Sequence, residues 1–369
     1  MIDTRMRITV IAVAMATGCT QSGASLSDYG LLSDHGGTVG EARVDAGAET
    51  DAESSRLPLA VAVGEYGAIL EFDGESWTRA ASPLQPTIDN ELDGVAFSAG
   101  RVFAVGARGA LLERQGGVWR QVSVPTSGGL MSVAVTADGK FGVAVGQGGV
   151  ILHYDGEQWS KVTSPLEKPG DIWLFKVALY SKDFGVAVGG NRSGALTGVV
   201  LVYRDGVWSA ERQNQDRDLS AVGIASPSHV AVGGYSEHFA KEPTKLMEWK
   251  GPAWTAVSVS QWRRNVTHID LVHPNFGLAV TDGGGTQQSA TGALLLKYTQ
   301  STGWTELGDT QALIGEAKAA TSACVLNDQQ AFVVGTGPTI MALEQGTWRL
   351  VDTKAFADVV TLHGVACRP

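Results

Sequence analysis

Residues 141–159 read FGVAVGQGGVILHYDGEQW, and variants of this unit recur along the chain from residue 59 onward. Each unit starts with an apolar run that ends in glycine, continues with a second apolar segment and closes with tryptophan. Residues 59–77 and 102–119 are the other clear copies. Successive closing tryptophans are 40 to 50 residues apart, and the seven are Trp77, Trp119, Trp159, Trp208, Trp254, Trp304 and Trp348.

A period of this length, built from short strands, is typical of a propeller blade. A further predicted strand with a pattern similar to Leu-x-x-Val-Ala precedes each unit from the second onward, and we call it the leading strand. It first occurs at Leu92, and a last copy at 362–367 follows the final tryptophan. The first unit has no leading strand of its own. We therefore predict an all-β fold, a seven-bladed β-propeller closed by pairing of the C-terminal strand with the first blade, which removes two open sheet edges.

Most of the repeated residues have a structural explanation. The apolar run is continuous, as expected for a strand buried on both faces. Its terminal glycine is predicted to begin a tight turn that needs positive φ or a small residue; these glycines are Gly64, Gly106, Gly146, Gly189, Gly233 and Gly335. Asp-Gly before tryptophan is a hairpin signal, and the tryptophan is predicted to fill the space between neighbouring sheets.

The pattern in Gly64–Trp77 and Gly146–Trp159 resembles the repeats of BNR-type propellers and of propellers like the photosystem II assembly factors. The resemblance extends over residues 58–369 and implies the propeller architecture rather than one activity. The Asp-box of sialidases, S-x-D-x-G-x-x-W, is not matched, because Asp and Gly are adjacent here, as in Asp155-Gly156. This departure argues against glycoside hydrolysis.

Residues 1–18 are predicted to be a signal peptide, with Arg5 and Arg7 before a short apolar stretch. The following Ala16-Thr17-Gly18-Cys19 resembles a lipoprotein cleavage site, which implies lipidation of Cys19 and a membrane partner through that anchor. An ordinary cleavable signal is the alternative. Residues 19–57 are acidic and poor in aromatics, which predicts a disordered tether. We expect a location in the bacterial cell envelope, at the outer membrane, and a propeller spanning 58–369.

Composition and motifs limit the function. The formal net charge of −10 argues against nucleic-acid binding, which needs clustered Lys and Arg. The sequence has no HxxxH, GxSxG, P-loop or dinucleotide motif, and its three cysteines are too scattered for a CxxC site. We predict no catalytic residues, no metal and no cofactor. A ring can still bring distant carboxylates together, so a polysaccharide hydrolase or lyase stays an alternative.

Three long insertions, at 191–199, 235–245 and 282–292, are predicted to form a raised wall on one face. Trp173 and Trp262 have no counterpart in the repeat and are expected in links between blades. Aromatic and Arg side chains suit sugars, carboxylates or a protein hot spot, and the predicted binding residues are Trp173, Arg192, Tyr235, His238, Trp262, Arg263 and Arg264. Ordinary loop packing is the alternative.

Two further pairs of residues are singled out. Lys176 and Asp270 fall at one register position of the leading strands, where other units have small residues. They are predicted either to line the channel and bind an ion or polar ligand, or to form a buried structural pair. Cys324 and Cys367 are predicted to form a disulfide if their Cα atoms lie within about 7 Å, and otherwise to be buried thiols.

These observations favour a monomeric, lipid-anchored, extracytoplasmic propeller that acts as a non-catalytic binding or assembly scaffold for an envelope protein or glycan. The enzyme with acids from several blades and a largely structural envelope protein are the alternatives. Loops carry the function on such a ring, so the binding surface is expected on the face with the insertions.

Overall fold

The computed structural model confirms the predicted architecture. It consists of seven antiparallel sheets of four strands each, arranged as the blades of a propeller. The structure describes residues 56–191, 198–215, 218–234, 245–251, 253–257, 265–273, 275–282, 293–307 and 319–368. Among these residues, no helix has the length and apolar character needed to cross a membrane.

Each blade runs from an inner strand at the channel to an outer strand at the rim. The strands of the first four blades are β1 Ala60–Gly64, β2 Ile69–Phe72 and β3 Trp77–Arg79; β4 Leu92–Ser98, β5 Arg101–Gly106, β6 Ala110–Gln115 and β7 Val118–Gln121; β8 Leu130–Val135, β9 Gly142–Gly146, β10 Ile151–Tyr154 and β11 Trp159–Val162; and β12 Trp173–Ser181, β13 Phe184–Gly190, β14 Gly198–Arg204 and β15 Val207–Gln215. Those of the last three blades are β16 Leu219–Ser226, β17 His229–Gly234, β18 Lys245–Trp249 and β19 Trp254–Val257; β20 Val266–His273, β21 Phe276–Thr281, β22 Leu295–Thr299 and β23 Gly303–Glu306; and β24 Ala320–Asn327, β25 Gln330–Gly335, β26 Thr339–Glu344 and β27 Thr347–Leu350. The last described strand is β28 Leu362–Cys367, and the described residues also form four short 3₁₀ segments, at Glu65–Gly67, Ala107–Gly109, Pro169–Asp171 and Lys354–Phe356.

The ring closes as predicted from the shifted leading strands. β28 pairs antiparallel with β1, with Ala60 opposite Cys367 and Val63 opposite Gly364, so it is the inner strand of the first blade. The first and last strands of the chain therefore share one sheet. β28 thereby covers the inner edge of β1, which would otherwise be unpaired, and so suppresses edge-to-edge association at that strand.

The repeated tryptophans pack between neighbouring blades, as the sequence predicts. Trp77 of the first blade lies edge-on against Phe332 of the seventh, with ring centroids 5.2 Å apart. Trp159 of the third blade contacts Phe103 of the second at 5.8 Å. Aromatic pairs in this geometry add to the burial of apolar surface between sheets.

Three of these tryptophans also bind the preceding blade through the indole N–H. Trp119 Nε1 donates to Glu71 Oε1 at 2.7 Å and Trp208 Nε1 donates to His153 Nε2 at 2.8 Å. Trp304 Nε1 likewise donates to a buried Glu248 oxygen at 3.1 Å. Each of the three acceptors directly precedes the aromatic residue of the third strand, in blades 1, 3 and 5, so one register position joins blade to blade.

In every blade but the sixth, a glycine at the end of the second strand is needed for space, which is the small-residue alternative of the prediction. Gly106 is extended, with φ of −172°. A Cβ there would lie 2.0 Å from the carbonyl oxygen of Glu91, just before the inner strand. The left-handed conformation falls two residues later, at Arg108, with φ of 58°. In the fifth blade the same close approach is at Gly234, not at Gly233.

The antiparallel order places two kinds of connection on one side of the ring. The loops between second and third strands, such as 65–67, and the links between blades, such as 80–91, lie on this side. We call it the link face. The inner strands begin at this face, so their first residues surround the channel mouth.

Candidate functional site

Seven residues, one from each inner strand, occupy the same register position around the channel. Each lies one residue beyond a β-bulge at the start of its strand. This channel ring consists of Gly94, Ser132, Lys176, Ala221, His268, Ser322 and Gly364. Four of the seven carry polar or charged side chains, whereas closure of the ring requires only a small residue there.

The structure corrects the predicted register of Asp270. His268, opposite Val280, is the ring member of the sixth blade, and Asp270 lies two residues further along the strand. The inner strand starts at Val266, which takes the place of the leading leucine. The Asp270 Oδ2 atom accepts a hydrogen bond from the Val325 backbone N–H at 2.7 Å, across to the seventh blade. Asp270 therefore joins two inner strands and does not share the ring position of Lys176.

Six of the seven ring residues line a cavity of about 70 Å³ in the channel. This volume holds several waters or a small group such as a carboxylate. Ser132 and Ser322 are buried, and their hydroxyls accept hydrogen bonds from the next inner strands, from Val177 N and Val365 N, both at 3.2 Å. The serines therefore tie blades together, and Lys176 and His268 supply the remaining polar chemistry of the cavity.

Lys176 is the cationic group of this cavity. Its ammonium forms no ion pair with a described residue, and burial lowers the pKa of Lys176 to about 8, against the opposing charge of Asp93. Burial, with a contribution from Lys176, holds the pKa of His268 well below its usual 6.5. At neutral pH the cavity thus presents one ammonium and one neutral imidazole, a combination that attracts an anionic group.

The bulged residues form a second ring, immediately nearer the link face. This bulge ring consists of Asp93, Met131, Phe175, Ser220, Thr267, Thr321 and His363. In the last three blades, the bulge-ring residue is a serine or threonine whose hydroxyl donates to a backbone carbonyl of the next inner strand. The pairs are Ser220 to Val266 O at 2.6 Å, Thr267 to Ala320 O at 3.0 Å and Thr321 to Leu362 O at 2.5 Å. The first and second blades have His363 and Asp93 instead.

Asp93, His363 and the preceding Glu91 form a charged cluster at the channel mouth. His363 Nε2 lies 3.0 Å from Glu91 Oε1. Burial and the Glu91 carboxylate raise the pKa of Asp93 to about 7, whereas Lys176 acts in the opposite direction. Burial lowers the pKa of His363, against the charges of Glu91 and Glu65 and together with that of Lys176. The channel mouth is therefore polarised, with acids on the second blade and an ammonium on the fourth.

The chain is similar in fold to several solved structures. No family model and no curated protein matches the chain. A solved structure described as YCF48 bound to D1 peptide is 14% identical, with a TM-score of 0.51 over 74% of this chain and 89% of that one. YCF48 from Cyanidioschyzon merolae is 16% identical, with a TM-score of 0.50 over 73% and 86%. The WD40 β-propeller domain of Doa1 is 13% identical, with a TM-score of 0.51 over 74% and 84%.

The likeness is one of fold. At these identities it shows a β-propeller and transfers no site from the neighbours to this chain. The site of this propeller must be argued from its own residues.

The predicted wall of insertions falls mostly outside the described residues. This applies to Arg192, Tyr235, His238, Trp262, Arg263 and Arg264, and equally to Cys19. Trp173 is described and differs from the prediction, because it is the first residue of β12 and not part of a link. It forms an isolated β-bridge with Gln147 of the third blade. Trp173 therefore lies at the link face, three residues before Lys176.

Cys324 and Cys367 are joined in the structure. Their Sγ atoms are 2.06 Å apart and their Cα atoms 5.4 Å apart. Cys324 lies on the inner strand of the seventh blade and Cys367 on that of the first. The two inner strands are thus close enough at this point for a bond across the closure.

The sequence prediction did not include Glu91, Asp93, His268 or His363. A signal for two of them is visible in the leading strands, which read LDGVA from Leu92 and LHGVA from Leu362. The residue at the second position of this pattern belongs to the bulge ring, so a histidine occurs there in the first blade and an acid in the second. Only closure of the ring brings β28, and with it His363, into the first blade beside Asp93 of the second.

Proposed function

We propose that this chain is a lipid-anchored, non-catalytic propeller that binds a segment of an envelope protein at the channel mouth of its link face. The observation that carries the proposal is Lys176, a cation without an ion pair among the described residues, facing a cavity at a position where three other blades have Gly or Ala. A carboxylate of the partner is the complementary group, with His268 beside it as a neutral hydrogen-bonding group.

The presence of a partly buried ammonium in the channel supports a binding role over a purely structural one. Removing an ammonium from water is unfavourable unless a partner compensates for the lost hydration. Structural polar residues of this ring are short and hydrogen-bonded, as Ser132 and Ser322 are. Lys176 is long and unpaired among the described residues, so a group from outside the chain would stabilise it.

The structural neighbours support a protein partner over a glycan. One is described as bound to a D1 peptide, and another is a WD40 domain. A rigid closed ring with a polarised mouth suits the same kind of task, since an ordered binding surface loses little entropy when a partner binds. The partner segment is expected to place its acidic group toward the fourth blade.

The anchor and the location rest on the N-terminal sequence. Cys19 after three small residues is proposed as the lipidation site, and the acidic residues 20–57 as a tether that holds the monomeric propeller away from the outer membrane. Cells grown with an alkyne-labelled fatty acid should give a labelled protein, and Cys19→Ser should be unlabelled and released from membranes. An unlabelled wild-type protein would contradict the anchor.

The predicted loop residues give a separate test of the binding surface. A Trp262→Ala/Arg263→Ala double variant should lose partner capture by crosslinking in native membranes, with no change in melting temperature. If the captured partner resists protease and is degraded by glycan-cleaving enzymes, the partner is a glycan. Unchanged capture would remove these two residues from the site.

One observation favours a second candidate, a hydrolase. Glu91 and Asp93 lie together at the channel mouth, and the pKa of Asp93 is raised to about 7 by burial and by Glu91. Their oxygens are at most 4.8 Å apart, somewhat closer than the roughly 5–5.5 Å or 6.5–9.5 Å of glycosidase pairs. Turnover of envelope polysaccharide that is lost in Asp93→Asn would establish this candidate, and its absence favours binding.

A further inference from the structure

The cluster Glu91, Asp93 and His363 is not explained by the scaffold or by partner binding at Lys176. The two acids come from the start of the second blade and the histidine from β28, which closes the first blade. One potential ligand atom from each of the three lies within 4.8 Å of the other two. Carboxylate and imidazole are ligand types that divalent transition metals accept together.

The scaffold does not need these side chains. In the last three blades, a hydroxyl at the bulge ring binds the next inner strand, as in the hydrogen bond from Ser220 to Val266 O at 2.6 Å. A small hydroxyl is therefore sufficient at the position that Asp93 and His363 occupy. Asp93 and His363 in place of two hydroxyls, with Glu91 beside them, bring extra charge to a confined site, which is unfavourable without a compensating cation.

The His363 imidazole faces the two acids of this cluster. Its Nε2 atom is shielded from solvent and has no hydrogen-bond partner among the described residues, although it lies 3.0 Å from Glu91 Oε1. A separation of about 3.0 Å is normal for two neighbouring ligands at metal bonds of about 2.1 Å, and opposite ligands would be about 4.2 Å apart. The ligand atoms of the cluster are at most 4.8 Å apart. Each of them therefore needs to move by only a few tenths of an ångström to bind one ion.

We propose that Glu91, Asp93 and His363 bind one divalent transition-metal ion, Mn²⁺ or Zn²⁺, at the channel mouth. The imidazole favours such an ion over Mg²⁺ or Ca²⁺, which take oxygen ligands. Three protein ligands leave coordination positions open for water or another ligand in the channel. The site concerns metal binding by the chain itself and does not depend on partner binding.

Lys176 provides an internal test. Its ammonium interacts electrostatically with both Asp93 and His363. A positive charge near the site repels a divalent cation. Replacement of Lys176 by methionine should therefore tighten metal binding, whereas loss of a ligand should weaken it.

The experiment is titration of the full-length chain with Mn²⁺, followed by the loss of the free-ion EPR signal, with Zn²⁺ as competitor. We expect one Mn²⁺ per chain, displaced by Zn²⁺. The dissociation constant should rise at least tenfold in Glu91→Gln and in His363→Gln and fall several-fold in Lys176→Met. Asp352→Asn is the matched control for charge, because Asp352 is exposed at the chain's last link, and it should bind like wild type.

Several results would overturn the proposal. These are no saturable binding at millimolar Mn²⁺, wild-type affinity in a folded Glu91→Gln, or wild-type affinity in a folded His363→Gln. Near-ultraviolet circular dichroism checks the fold of each variant, and Asp93→Asn, which is isosteric, replaces any variant that is misfolded. Wild-type affinity in a folded Asp93→Asn would equally exclude the site, because all three residues are required ligands.

Discussion

Cys324 and Cys367 link the inner strand of the seventh blade to that of the first, with Cα atoms 5.4 Å apart. The disulfide lies where the chain's last strand enters the sheet of its first strand. The first blade is assembled from both ends of the propeller, and the disulfide links its inner strand to the seventh blade. Closure by hydrogen bonds between β28 and β1 is supplemented by a covalent bond to the neighbouring blade.

Removal of this bond should destabilise the ring. The bridged residues are 43 positions apart, and the chain-entropy model assigns about 4 kcal/mol to a loop of that size. A Cys324→Ser/Cys367→Ser variant, or the reduced wild type, should melt several degrees lower. Reducing agent should not affect the double variant, which is the control. Two alkylatable thiols in the denatured, unreduced wild type would show that the bond does not form.

Gly106→Ala should be strongly destabilising for steric reasons. The added Cβ would lie 2.0 Å from the Glu91 carbonyl oxygen, and the backbone there cannot move without separating two paired strands. We expect a loss of about 3 kcal/mol or more in chemical denaturation. Gly100→Ala is the control, because its Cβ would meet nothing within 4 Å although φ is +72°; strain alone should cost about 1 kcal/mol. Equal losses at the two sites would contradict the steric explanation.

Glu248 should stabilise the interface between the fifth and sixth blades in a pH-dependent way. Its buried carboxylate binds His229 at 2.9 Å, Lys250 at 2.8 Å and Trp304 at 3.1 Å. Burial alone would raise the pKa of Glu248, but the hydrogen bonds and charges of His229 and Lys250 outweigh it and lower the pKa below 4.5. The stabilisation is thus present above pH 4.5 and is lost as the pH falls through the folded-state value.

Denaturation of Glu248→Ala measures this contribution. We expect a loss of about 3 kcal/mol at neutral pH, because a buried network loses its acceptor, and a smaller difference from wild type in acid. Glu344→Ala, which breaks an exposed pair with Arg349, should change stability by less than about 1 kcal/mol. If the stability difference between Glu248→Ala and the wild type instead increased at lower pH, the prediction would be contradicted.

The fold could be predicted because its determinants are local and repeated. The period of the tryptophans and the unpaired leading strand at 362–367 are visible in the sequence, and together they define seven blades and their closure. The role of the repeated glycine was only half predicted. Its requirement for space depends on a carbonyl from the preceding strand, which no local pattern contains.

The site was less predictable because it depends on alignment between blades. Lys176 was recognised at a channel position, but Asp270 was placed there in error because the sixth inner strand begins with valine and not leucine. His363 and Glu91 are 272 residues apart in numbering and meet only through ring closure. Spacing rules for metal ligands act over short segments and cannot detect such a pair.

Lys176→Met should make the free protein more stable. Burial lowers the pKa of Lys176 from 10.5 to about 8, so the charged form is disfavoured in the folded state, by an amount on the order of 3 kcal/mol at neutral pH. Between pH 8 and pH 10.5 the Lys176 side chain is protonated in the unfolded chain but largely neutral in the folded one. The stability of the wild type therefore rises with pH across this range, and the stability advantage of the variant shrinks. Denaturation at pH 7 and pH 10 measures this trend, and an unfavourable effect of methionine at pH 7 would contradict it.

The most direct test of the binding proposal compares Lys176→Met with Lys182→Met, which replaces an exposed lysine of the same blade, paired with Asp183. Each full-length variant is immobilised and exposed to detergent-solubilised envelope, and retained proteins are quantified by mass spectrometry. The account predicts that proteins retained by wild type and by Lys182→Met are lost from Lys176→Met, although that variant is the more stable one. Retention of the same proteins by Lys176→Met would contradict it.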